Sequence, residues 1–113
     1  MAITLEVSTK NYSDDSFNIK RALSHMETLT GEYNGYMFSE PKENFGWTFF
    51  QIAFNEGLHQ GIVTKFADML ERYRSKPEEK FAEFMRDYFA SKNCEVKLKS
   101  LARLFFLFFH PSF

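Results

Sequence analysis

The chain has 113 residues and a formal net charge of −1. That length supports one domain with a single core. The near-neutral charge excludes a whole-molecule field that would draw the protein to nucleic acid or to an anionic membrane. Its single cysteine, Cys94, excludes an intrachain disulfide and makes a reducing, cytoplasmic compartment the expectation.

Fifteen Phe, five Tyr and one Trp give an aromatic share of 19%, so the core is expected to be built from rings. Charge is uneven along the chain. Residues 1–60 carry four basic and eight acidic side chains, and residues 61–113 carry ten basic and seven acidic ones. Two solvated faces of opposite bias account for this.

The opening stretch, MAITLEVSTK, lacks the basic start and apolar run of a secretory signal, so none is expected. Within it Ile3, Leu5 and Val7 alternate with Thr4 and Glu6, which predicts a short strand with one buried face. The strand GYMF, after the turn signal Asn34-Gly35, is its natural partner.

Residues 12–31 read as a helix. Ser13 is placed to cap it, Asp14 and Asp15 sit where the helix dipole favours acid, and Tyr12 and Phe17 have the spacing of a hydrophobic staple. Ile19, Ala22, Leu23, Met26 and Leu29 form its apolar stripe, and Gly31 ends it.

The pattern S-x-P-x-E-x-F occurs at residues 39–45 and again at 75–81, 36 residues later. Each copy has the elements of a helix start: a Ser to cap, a Pro in the first turn and acids at the positive end. Ser75 and Glu78 add the spacing of a capping box. The recurrence predicts two antiparallel helical hairpins as a tandem repeat, one over residues 39–74 and one over 75–113, with breaks at Glu56-Gly57 and Asn93-Cys94. The fold class read this way is mainly α. It is a compact bundle of about five helices, preceded by an N-terminal region over residues 1–38 with a short strand or hairpin.

Two of these helices are apolar around more than half their circumference. One carries Phe45, Trp47, Phe49, Phe50, Ile52, Ala53 and Phe54. The other is the last, running through RLFFLFF. Such a helix is either central or covered by something else. The final run is far shorter than the roughly 20 apolar residues a bilayer span needs, so a membrane is not the expected cover. The reading is a docking face for another protein or for a second copy, with Phe106, Leu107, Phe109 and Phe113 as contacts. Tyr33 and Tyr36, flanking the Asn34-Gly35 turn, are further contact candidates.

No catalytic, metal-ligand or phosphate-loop spacing is present, so no cofactor is expected and the chain reads as a non-enzymatic interaction module, an adaptor, subunit or inhibitor. Two readings from other classes compete with it. His59 and Trp47 would line an aromatic pocket in a small-molecule binder or enzyme. Lys92, Lys97, Lys99 and Arg103, spanning Lys92–Arg103, would serve a nucleic-acid-associated protein, although nucleic acid is not the expected partner because these residues lie among core-spaced aromatics.

Overall fold

The computed structural model describes residues 3–101. It is an α+β fold, not a helical bundle. The elements run β1 (Ile3–Thr9), α1 (Tyr12–Thr30), β2 (Tyr36–Phe38), β3 (Lys42–Asn44), β4 (Trp47–Phe54), α2 (Glu56–Lys65), α3 (Ala67–Leu70), α4 (Pro77–Ser91) and β5 (Lys97–Ser100). The strands form one sheet in the order β2-β4-β1-β5, with β3 also paired to β4, and every pairing is antiparallel. Because β4 lies between β1 and β2, the unit β1-α1-β2 is a split β-α-β arrangement.

The sheet has one buried face. Ile3, Leu5 and Val7 of β1 meet Phe50, Ile52 and Phe54 of β4 there, and Leu98 of β5 joins them. Ile19, Leu23 and Met26 of α1, Leu58 and Ile62 of α2, and Phe81, Met85 and Phe89 of α4 pack on that face in a single core. Phe81 meets Phe54 edge-on at 5.3 Å between ring centroids, which ties α4 to the sheet. The ring-built core expected from composition is present.

The strand at Ile3 and the first helix are where the sequence places them. Gly31 ends α1 at φ +74 and its N–H donates to the carbonyl of Glu27. The details of its start differ. Asn11 precedes the first turn, and no side chain caps the backbone. Tyr12 packs edge-on against Phe50, while Phe17 is 60% exposed, so the two do not staple the helix. The first strand pairs with β4 and β5, and GYMF pairs with β4 instead.

The helical-hairpin repeat is overturned. Its first half, residues 39–55, is a loop followed by the β3–β4 hairpin. Ser39 and Pro41 lie between β2 and β3 on the sheet edge, not at a helix start. The Ser39 N–H donates to the Gln51 carbonyl, and its hydroxyl accepts from the Gln51 N–H. Pro41 has no N–H to continue the ladder, so the edge is divided into β2 and β3. The second copy does begin a helix, with Pro77 in the first turn. Its capping box is not formed, because the Ser75 hydroxyl donates to Glu83 Oε1 at 2.6 Å.

The second half of the first expected hairpin, from the break at Glu56-Gly57 to residue 74, is divided at Phe66 into α2 and α3. The break at Asn93-Cys94 is real, with Asn93 at φ +63. The next element is the strand β5, where the sequence predicts the start of the last helix, and the rest of that predicted helix lies outside the described residues. No described helix is long and apolar enough to cross a membrane.

Candidate functional site

All the strands expose a second face, and among the described residues no helix packs on it. The registers give its composition. One row across the sheet reads Lys42, Phe49, Ser8, Lys97, from β3 through β4 and β1 to β5. The next contains Gln51, Glu6 and Lys99. A third contains Met37, Ala53 and Thr4. At the far end of β4, Trp47 lies opposite Asn44.

Alternation explains the sorting. Side chains two apart on a strand share a face, so Phe50, Ile52 and Phe54 point to the core while Trp47, Phe49 and Gln51 point away from it. Trp47 and Phe49 are partly exposed, and Lys42, Lys97 and Lys99 are exposed.

Two lysine ammonium groups lie over the Trp47 ring. Lys10 Nζ lies 4.8 Å from its ring centroid and Lys97 Nζ lies 4.7 Å from it. Lys99 pairs with Glu6 at 3.4 Å. Glu95, just before β5, is exposed and adds negative charge at the rim. Trp47, Lys10 and Lys97 line an open cleft of about 430 Å³ with Ser8 and Glu95. Its floor includes Asp15, which accepts from the Thr9 hydroxyl and from Cys94 Sγ at 3.7 Å. Burial, then the Asp15 carboxylate, push the Cys94 thiol up to about 12. Cys94 is therefore held as a neutral thiol, the reverse of an activated nucleophile.

The adjoining β3–β4 turn is tight. Asn44 pairs with Trp47, leaving two residues, Phe45 at φ +53 and Gly46 at φ +81. Positive φ at both central positions is the mark of a type I′ hairpin turn. Phe45 is 93% exposed, so a bulky ring stands in solvent on a backbone that favours Asn or Gly.

The residues singled out from sequence are dispersed. Phe106, Leu107, Phe109 and Phe113 lie outside the described residues, as do Arg103 and His110. Tyr33 is 63% exposed. Tyr36 instead turns to the core side of the sheet, 5.9 Å from Phe38. Trp47 and His59 do not share a pocket. His59 is on α2, edge-on to Phe81 at 4.6 Å in the helical layer, while Trp47 lines the cleft beside Lys10 and Lys97. The basic cluster is divided too. Lys97 and Lys99 lie on the open face, whereas Lys92 borders a cleft between α1 and the end of α4 with Arg21 and His25. His25 Nδ1 is there hydrogen-bonded to the Tyr88 hydroxyl at 2.8 Å.

Sequence reasoning missed Lys10, Lys42, Phe49 and Phe45 as members of one surface. The signal available was the alternation in WTFFQIAF, with the turn residue Gly46 before it. No protein family, no curated protein and no solved structure matches the chain.

Proposed function

We propose that the protein is a binding module that holds a polyanionic macromolecule on the open face of its sheet. The observation that carries this reading is Trp47 with the ammonium groups of both Lys10 and Lys97 over its ring, and Lys42 across the same face. Lysines on edge strands also discourage edge-to-edge pairing. That role accounts for Lys42 and Lys97 singly, but it does not call for two ammonium groups over one aromatic ring. Each such contact at an exposed site contributes only about 0.5–1 kcal/mol, so the lysines are free to turn to a stronger anion.

The chemistry of this face suits recognition more than catalysis: its charged groups are lysines, the Glu6 carboxylate paired with Lys99 and the Glu95 carboxylate at the rim, beside amide and hydroxyl side chains. The surface proposed is the sheet, and the aromatic terminal run is not needed for it. A reducing, cytoplasmic setting fits the unpaired and buried Cys94.

The test exploits the overall charge. With a net charge of −1, retention on a sulfated polysaccharide such as heparin at neutral pH must come from a local patch. The wild type is expected to be retained at low salt, and a Lys10→Gln/Lys97→Gln variant to elute earlier. A charge-matched control, Lys65→Gln/Lys76→Gln on the helical layer, is expected to behave as wild type. Flow-through of the wild type, or equal loss in both variants, rejects the open face as the site.

A further inference from the structure

Resting on the polyanion reading, we infer that the ligand is a single-stranded nucleic acid, with bases stacked on Trp47 and Phe49 and phosphates on Lys10, Lys42 and Lys97. Three observations carry this beyond a simple anion site. First, the face presents two aromatic rings on one strand, Trp47 and Phe49, both partly exposed. They are two residues apart, about 7 Å along the strand, so each ring can serve a different base. A sulfated sugar or an acidic peptide can be held by its charges alone, whereas every base has a flat face that stacks on an aromatic ring.

Second, the cations flank the rings. In the row Lys42, Phe49, Ser8, Lys97 the lysines are the outer members, about 14 Å apart at strand spacing. A strand whose bases lie on the rings has its phosphates at the margins, within reach of long side chains. The two ammonium groups over Trp47 hold the ring in the free protein. A base stack is worth more than an exposed cation–π contact, so the base displaces an ammonium, which then meets a phosphate.

Third, Phe45 is an almost fully exposed ring held at φ +53, two residues from Trp47. A strained and exposed aromatic has no role in the described core, and residues held in such conformations cluster where a ligand is clamped. It extends the aromatic series at the hairpin end of the face. A duplex is excluded as the preferred ligand because its bases are already stacked and cannot reach the rings.

Trp47 is the single tryptophan, so its fluorescence reports the site directly. The experiment titrates the full chain with oligouridylate, oligodeoxyuridylate, a duplex of equal length, polyglutamate and heparin. Saturable quenching by a single strand is expected, with weaker binding of the duplex and no base-type quenching by heparin or polyglutamate. A preference between the two oligonucleotides identifies the sugar that is read. Phe49→Ala is expected to weaken single-strand affinity by about 5- to 100-fold, a larger loss than it causes in heparin retention, and to be rescued by Phe49→Tyr. Thermal melting of each variant checks that it folds.

If heparin is retained but single strands do not quench, or polyglutamate or duplex binds as well as they do, the nucleic-acid inference is overturned and the polyanion reading survives. If Phe49→Ala folds and binds oligonucleotide as wild type, stacking is overturned. If neither heparin nor any strand binds, both readings fall together.

Discussion

Phe45 shows how much a single residue can separate stability from use. In the left-handed region a side chain with a Cβ crowds its own carbonyl, at a cost of about 1–2 kcal/mol, which Asn tolerates better by bonding locally. The ring at Phe45 offsets none of this by burial, since 93% of it is exposed. Phe45→Asn is therefore expected to raise stability by about 1 kcal/mol, or about 4–8 °C in melting temperature for a domain of this size, while weakening single-strand binding. A lower melting temperature would show that the ring stabilises the hairpin. Cys94 makes a second residue-scale prediction. Its pKa is raised from the ordinary 9.0 to about 12, first by burial and then by Asp15. The unfolded chain ionises first, so this contribution to stability is fully present below pH 9 and is lost as pH rises toward 12. Native protein is expected to resist alkylation at pH 8 and to react once unfolded in denaturant. Rapid native labelling would contradict the neutral, buried thiol.

The elements show why part of the fold was legible and part was not. The strand ITLEV and helix α1 were readable because periodicity, acids in the first turn and Gly31 all agree. WTFFQIAF was not, because aromatics on both faces of a strand look like a helix apolar all round. Phe50, Ile52 and Phe54 fill the core, while Trp47 and Phe49 serve the open face. The open-face rings themselves blurred the alternation. The S-x-P repeat fails for a related reason. A proline stops backbone pairing wherever it sits, so Pro41 divides a sheet edge and Pro77 opens a helix. Local chemistry is the same, and only the neighbouring strand β4 distinguishes them. Packing between elements gives two testable positions. Phe81 joins α4 to the sheet through Phe54 and to α2 through His59, so Phe81→Ala should cost about 3–5 kcal/mol in chemical denaturation. Gly35 lets the start of β2 lie against α2, since an added Cβ would stand 2.4 Å from Leu58 Cβ. Gly35→Ala should cost about 1–3 kcal/mol, and a neutral result would mean that α2 can shift away from the sheet.

At the scale of the whole molecule, the charge bias along the sequence does not map onto the faces. The open face draws Lys10 and Lys42 from the acidic first half and Lys97 and Lys99 from the basic second half. The topology gathers them, because β5 returns beside β1 and places the end of the described chain next to its beginning. A protein with pI ≈ 6.3 thereby carries a local positive surface. Its strength is limited by two acids on the same face, Glu6, paired with Lys99, and Glu95 beside Lys97. This sets the size of the salt effect. With Lys10, Lys42 and Lys97 each neutralising one phosphate, log affinity should fall with log salt at a slope of about −2, since single strands lose about 0.7 per contact. Lys42→Gln should flatten that slope by about 0.7. Glu95→Gln should act in the other direction on affinity, tightening binding at low salt, because it removes a charge that repels phosphate. Fluorescence titrations at several salt concentrations measure both. A slope near zero, or an unchanged affinity in Glu95→Gln, would mean that the strand does not cross the Trp47 end of the sheet.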